Sequence, residues 1–294
     1  MDAKTFLHER SLAEELAPLD VPTTAREAVA SDPMLPDAYR LAFADPEFIA
    51  RREVRGIRFQ LELLKPDLGQ EAHGIEHTVV VYGSARFVDA ETAQARLASA
   101  QANGDALQIR AAERDVRNAQ RYEQARAFAR LVAEHSQRQP QDKRIYICTG
   151  GGPGIMEAAN RGAFEAGAAN VGLNILLPHE QQGNRYITPE LSFKFHYFAL
   201  RKMHFMMRAK ALVTFPGGFG TMDELFEVLT LVQTTKVKPV PIILFDSQFW
   251  KKLYNFEMLV EEGMISAKDL ELFHFVDTPE AAWKIITDFY QLPE

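Results

Sequence analysis

From residue 213 to 224 the chain reads Val213-Thr214-Phe215-Pro216-Gly217-Gly218-Phe219-Gly220-Thr221-Met222-Asp223-Glu224. An apolar run enters a proline, three glycines fall within four positions, and a helical pattern follows. Glycine serves where φ is positive or where a ligand must approach the backbone closely. The amides of such a turn, with a helix N-terminus behind them, make an anion site. Gly217, Gly218, Gly220 and Thr221 are therefore candidate phosphate ligands. A second run, Thr149-Gly150-Gly151-Gly152-Pro153-Gly154, has the same layout and offers Gly151 and Gly152. A third turn, Gly83-Ser84, closes another strand. Two glycine loops in one domain suit a ligand with both a phosphate and a sugar. Each loop alone reads equally well as a tight strand-to-helix turn.

Glu224 follows Thr221 by three residues, and Arg201-Lys202 lies on the preceding helical stretch. Cleaving the N-glycosidic bond of a nucleotide needs a fixed phosphate, a carboxylate near the ribose and help for the departing base. Arg201 suits bidentate phosphate contact, with Lys202 beside it. Glu224 suits the carboxylate, activating water and stabilising positive charge on the sugar. No residue is identified as the leaving-group acid. Local pattern supports plainer readings too. Thr221-Met222-Asp223-Glu224 spells a capping box, in which the glutamate only caps its helix. Arg201 and Lys202 also fit a solvated helix face. His196 and His204 lack metal-type partners and read as structural or pocket-lining. Cys148 reads as a buried small residue, Asp246 as loop and Trp250 as core.

Other nucleotide signatures do not fit. There is no GxxxxGK[ST] run, and Gly150–Gly154 is not GxGxxG. Asn170 to Leu177 offers no strand-end acid for a ribose, which disfavours a dinucleotide oxidoreductase.

The elements that must hold these residues alternate. Strands are predicted at Thr78–Tyr82, Arg144–Cys148, Asn170–Ile175, Ser192–His196, Leu212–Phe215, Val240–Phe245 and Leu272–Val276. Helices are predicted at Ala90–Gln139 (broken at Asn103-Gly104), Gly154–Gly167, Phe198–Lys210, Met222–Val232, Gln248–Glu262 and Pro279–Tyr290. Alternation with nearly continuous apolar strands predicts an α/β fold, a parallel sheet covered on both faces. Ligands of such sheets sit beyond the strands' carboxyl ends, at the switch point of strand order.

Residues 1–75 read as an N-terminal helical extension and 76–294 as the nucleotide-binding catalytic domain. Helices are predicted at Met1–Ala17 and Asp45–Leu64, with Pro18, Pro22, Pro33 and Pro36 between them. Phe48, Ile49, Ile57, Phe59, Leu61 and Leu64 need a surface to cover.

The 294 residues are 47% hydrophobic and 25% charged, an ordinary globular profile, with a net charge of −7. That balance argues against nucleic-acid partners and against an anionic membrane surface. An anionic ligand must then be held by a local site. One cysteine precludes an internal disulfide and fits a reducing compartment. No signal-like N-terminus and no long apolar run is present, so the expected location is the cytoplasm, with no membrane partner.

Pro216 to Glu224 resembles PGGxGTxxE, the signature of the LONELY GUY (LOG) family of phosphoribohydrolases. Arg201-Lys202 resembles the RK pair on that family's preceding helix, and Gly83-Ser84 and Gly150–Met156 resemble its other loops. The resemblance covers roughly residues 78–262. It implies a Rossmann-like fold and hydrolysis of nucleoside 5′-monophosphates, such as AMP or cytokinin riboside 5′-monophosphate, to base and ribose 5-phosphate. It also implies no metal or organic cofactor, and a homodimer or higher homo-oligomer. Arg201 and Glu224 become the catalytic pair. Members are often labelled lysine decarboxylases, a label that no pyridoxal phosphate lysine context supports here. Phe198-Ala199-Leu200 stands where plant members carry Met-His before the arginine. The extension and the insert at Ala90–Gln139 match the longer bacterial type. The competing reading is a non-catalytic nucleotide or molybdenum-cofactor carrier of the same fold, which needs the phosphate site alone.

Overall fold

The computed structural model describes residues 37–177 and 182–292. The helix expected at Met1–Ala17, and Pro18, Pro22, Pro33 and Pro36, lie outside these residues. Two compact units divide between Leu61 and Glu62.

In the first unit, short 3-10 turns at Asp37–Tyr39, Ala42–Ala44 and Arg52–Val54 flank helix α1, Pro46–Ala50. Asp45 caps α1 by accepting from Phe48 N at 3.0 Å, with Pro46 at the first helical position, as its sequence predicts. The single helix expected at Asp45–Leu64 is interrupted. Arg51 is extended, and Arg58 ties the break by donating to Ile49 O and Arg51 O at 2.6 Å each. Helix α2, Arg55–Ala72, then crosses into the second unit. Ile57, Phe59, Leu61 and Leu64, expected to cover a surface, are exposed in the single chain. Past Leu64, α2 continues through Pro66 because Pro66 and Gln70 are buried; packing offsets the backbone bond that proline removes.

The second unit holds one seven-stranded sheet, in the order β4-β3-β2-β1-β5-β6-β7. Its strands are β1 His77–Tyr82, β2 Ile145–Thr149, β3 Asn170–Ile175, β4 Ser192–Phe195, β5 Ala209–Thr214, β6 Ile242–Phe245 and β7 Phe273–Val276. Every pairing is parallel, for example Val79↔Ile147 between β1 and β2 and Val80↔Leu212 between β1 and β5. This is the expected Rossmann-like α/β architecture. Strand order runs outward from β1 to β4, then returns on the other side of β1, so the switch point lies between β1 and β5.

Alternate side chains feed two cores. Val79, Val81, Ile147, Val213 and Ile243 face α4 (Ala106–Gln137), α5 (Ile155–Glu165) and α10 (Pro279–Tyr290), with α4 and α5 supplying much of that core, while α3 (Ala90–Asn103) packs on α4. Val80, Tyr82, Cys148, Leu212 and Leu244 face the other side, toward α6 (Phe198–Met207), α7 (Phe219–Gln233), α8 (Ser247–Leu253) and α9 (Phe256–Glu261). Two buried faces explain the unbroken apolar strands. Gly104, at φ 72°, divides α3 from α4 where the sequence predicts a break. The single helix expected at Gln248–Glu262 is two, because Asn255 turns the chain and caps α9 through Met258 N.

Helices α4 and α5 touch through Gly162, where an added Cβ would meet the backbone carbonyl of Arg126. Intrinsic propensity favours alanine over glycine inside a helix by about 1 kcal/mol. Here the close approach reverses the sign: Gly162→Ala should lower the urea midpoint of the intact chain. A raised midpoint would show that the two helices can separate at no cost.

Candidate active site

Three strand ends meet at the switch point, and their loops satisfy one another's backbone groups. Phe215 N donates to Tyr82 O at 2.8 Å. Ser84 N donates to Pro216 O, and Ile155 N to Ser84 O, at 3.0 Å each. Gly154, at φ +72°, lies against the Ser84 carbonyl where no side chain fits. The second loop is braced from below by a buried polar chain. Thr149 Oγ1 accepts from Gly151 N at 2.9 Å and donates to Asn160 Oδ1 at 2.7 Å. Asn160 Oδ1 also accepts from Asn184 Nδ2 at 2.9 Å, and Asn184 Nδ2 reaches Gly152 O at 3.1 Å. Thr149, Asn160 and Asn170 are fully buried. In sequence these asparagines look like ordinary helix, strand and loop residues, and only the fold brings them together.

The loops line a cavity of about 1200 Å³. Of the residues expected to bind or react, Gly83, Ser84, Gly152, Arg201, Gly217, Gly218, Gly220, Thr221 and Glu224 line it. Gly151 and Lys202 do not. Gly151, at φ +71°, makes the turn behind the wall. Lys202 Nζ is held by Asp223 and Glu227, at 2.9 Å from each, beside a separate shallow hollow. Two neighbouring carboxylates have claimed the charge that was expected to meet a phosphate.

The glycines at 217, 218 and 220 do not take positive φ. At Gly218 and Gly220 a Cβ would meet nothing within 4 Å. Their lack of side chains leaves the amides at the start of α7 open rather than permitting a special turn. Helix α7 begins at Phe219, three residues before its expected start at Met222, with Gly218 as an N-cap that has no side chain to give. This removes the capping-box reading. Thr221 is already in the first turn and Glu224 in the second, so neither caps the helix.

Glu224 is only 8% exposed. Burial raises its carboxyl to about 7, against the opposing pull of the Arg201 and Lys202 charges. Arg201 projects from α6, donating Nε–H to Leu173 O at 2.7 Å, with its guanidinium over Phe205 at 5.1 Å. Helix α6 is itself anchored by the end of α2. Glu62 Oε1 accepts from His196 N and Tyr197 N, at 2.9 and 2.8 Å, fixing the two residues that lead into α6 and setting a negative charge at its N-terminus. His204 is buried with Nε2 on Leu63 O at 3.0 Å, a structural role as its sequence context suggests. Cys148 is buried and its thiol is pushed up to about 12 by desolvation. Trp250 is fully buried.

Two wall residues escape sequence reasoning. Tyr82, the last residue of β1, is 5% exposed, packs edge-on against Phe205 at 5.0 Å, and has a buried hydroxyl with no partner among the described residues. Its phenol is held neutral, first by desolvation and then by the Glu224 charge. A hydroxylated aromatic at the strand end before Gly83-Ser84 is the signal that points to it. Arg121, from α4, is fixed by Asp246 (Nε–Oδ2 2.7 Å) and Asn118 (2.6 Å), between the rings of Phe87 and Phe249. Among the described residues no cluster of His, Cys, Asp or Glu could hold a metal, and no helix is long and apolar enough to cross a membrane.

A family model described as possible lysine decarboxylase matches residues 156–286, a span that contains Arg201 and the run from Pro216 to Glu224. A probable cytokinin riboside 5′-monophosphate phosphoribohydrolase of Oryza sativa is 30% identical over 131 residues, 44% of this chain and 56% of that protein. A cytokinin riboside 5′-monophosphate phosphoribohydrolase of Arabidopsis thaliana is 27% identical over 151 residues, 50% of this chain and 69% of that protein. The aligned part thus spans little more than half to about two thirds of these relatives. Solved structures with a similar trace include a molybdenum cofactor binding protein from Rippkaea orientalis (15% identity, 73% of this chain and 98% of that one, TM-score 0.44). A Moco carrier protein from Chlamydomonas reinhardtii is similar at 17% identity, 74% and 98% coverage and TM-score 0.43. At such scores nothing about ligand or activity transfers.

A carboxyl raised by burial is a stability cost wherever it must ionise. The folded state holds the Glu224 proton more tightly than the unfolded chain does. Its favourable contribution is complete below the ordinary carboxyl range near 4.5 and is lost as pH rises through about 7. Glu224→Gln, a neutral isostere, should therefore be more stable than the wild type at pH 8, by up to roughly 3 kcal/mol. The gap should close toward pH 5 in urea titrations. A variant less stable at pH 8 would mean that the carboxylate holds the fold together.

Proposed function

As a relative of the LONELY GUY phosphoribohydrolases, the chain, we propose, hydrolyses the N-glycosidic bond of nucleoside 5′-monophosphates such as AMP, giving free base and ribose 5-phosphate. The observation that carries this reading is a carboxyl buried in the cavity wall, with no capping duty, beside the open amides of a helix start. A carboxyl kept in so costly a position favours chemistry over binding alone.

The 5′-phosphate lies on the amides of Gly218 to Thr221, where the α7 dipole favours negative charge. Held there, the nucleotide lays its ribose over the end of β1, toward Glu224 and Arg201. The C1′–N bond breaks and its electron pair leaves with the base. Ionised Glu224 stabilises positive charge developing at C1′. It then takes a proton from the water whose oxygen bonds to C1′. A carboxyl near 7 can also return that proton to the departed base. Arg201 keeps Glu224 partly ionised and supplies a second positive centre for the phosphoribosyl group. In this reading residues 76–294 form the catalytic domain, working in the cytoplasm as a homodimer or larger assembly.

Purified protein given AMP should release adenine and ribose 5-phosphate, resolved by chromatography. Tight AMP binding without product would favour a carrier. Glu224→Gln should lower kcat by about 10² or more. In the wild type, kcat/KM should rise with pH through about 7 and then level, since the working form is the carboxylate. A variant of full rate would remove Glu224 from the chemistry.

Arg201→Ala should raise KM and lower kcat together, because the same guanidinium serves binding and the charge balance of Glu224. A change in thermal midpoint alone would make the arginine structural.

A further inference from the structure

We infer that Arg86 is a ligand of the substrate's phosphate, reaching it from the Gly83–Arg86 turn beside the open amides of α7. The inference rests on the phosphoribohydrolase reading and adds to it a charged group that no sequence motif marks.

A phosphate monoester carries nearly two negative charges at neutral pH, whereas a helix N-terminus offers about half a positive one. A cation is needed, in a chain whose net charge is −7. The other cations near the site are committed. Arg121 is held by Asp246 and Asn118. Arg201 serves the phosphoribosyl group with a guanidinium already shared between Leu173 O and Glu224, so it does not balance the phosphate alone. Lys202 is paired with Asp223 and Glu227, off the wall. Lys194 lines the cavity from β4, four strand intervals from β5, roughly 19 Å away at the usual spacing.

Arg86 differs from all of these. It lines the cavity and is exposed, and among the described residues its side chain makes no ion pair or hydrogen bond. The nearest acids in the adjoining hollow are engaged elsewhere, Asp89 with Thr92 and Glu157 with Tyr122. Its backbone is nonetheless fixed. Arg86 N donates to Ser84 Oγ at 3.1 Å, and Ser84 N donates to Pro216 O at 3.0 Å, so the turn bearing Arg86 is bonded to the loop that would hold the phosphate. A guanidinium on a short, tethered turn can fork onto two phosphate oxygens at little entropic cost.

The test compares wild type, Arg86→Gln and Arg86→Lys for ribose 5-phosphate binding by calorimetry and for turnover of AMP against adenosine. Arg86→Gln should weaken ribose 5-phosphate binding roughly tenfold or more, as expected for loss of a charge-assisted pair. It should also shrink the preference for AMP over adenosine by a similar factor, with Arg86→Lys in between. Unchanged ribose 5-phosphate binding in Arg86→Gln, or an equal loss for AMP and adenosine, would overturn the assignment while leaving the hydrolase reading intact. Wild type that binds ribose 5-phosphate but does not cleave AMP would instead sink the hydrolase reading, and Arg86 would be judged on the calorimetry alone. Wild type that binds no phosphate compound would sink both.

Discussion

At the switch point of a parallel sheet, two neighbouring strand ends carry backbone groups that no strand can satisfy. In this protein the Ser84 peptide resolves that constraint. Its N–H goes to the Pro216 carbonyl and its own carbonyl receives Ile155 N–H, so one residue after β1 binds the loops that follow β5 and β2. The arrangement places the starts of α5 and α7 side by side over a single hollow. Everything at the site inherits its position from those bonds. The amides of α7 stay open because residues 218 and 220 have no side chains to cover them. The second loop is braced from beneath by Thr149, Asn160 and Asn184 rather than by its own residues.

Upon this rigid floor the protein keeps one group under tension. Glu224 sits in a buried position where ionisation is unfavourable, and the positive charges that ease it are only partly its own. Lys202 divides itself between Asp223 and Glu227, and Arg201 is held by a strand-end carbonyl and an aromatic face. A tighter ion pair would stabilise the fold and abolish a carboxyl near neutrality, the range useful for taking and returning a proton. Stability given up at such a position is the usual companion of a working site.

Helix α6 shows how distant sequence reaches the candidate site. The two residues that lead into it are held by Glu62, and its C-cap residue Arg208 is tied to Asp67 and Ile75. The C-terminal part of α2 is therefore the support on which Arg201 stands. That part continues past the residue where a proline would ordinarily end a helix, because burial of Pro66 outweighs its missing hydrogen bond.

Much of this protein is written locally. Continuous apolar strands between helical stretches specify a parallel sheet, since only strands covered on both faces read that way. Asp45-Pro46, Asn103-Gly104 and Thr278-Pro279 mark helix boundaries through dihedral and capping preferences that need no distant partner. The loop glycines, Arg201 and Glu224 stand out by type and spacing, and the structure brings most of them to one cavity wall. What the tertiary structure alone decided is which of these groups remain available. Lys202 is removed from the cavity by two acids on the next helix. The helix start moves to Phe219 and so frees Thr221 and Glu224 from capping. Asn160, Tyr82 and Arg86 acquire roles from neighbours up to well over a hundred residues away. Charge pairing, burial and backbone satisfaction are properties of surroundings, and a linear pattern records only the residue that will meet them.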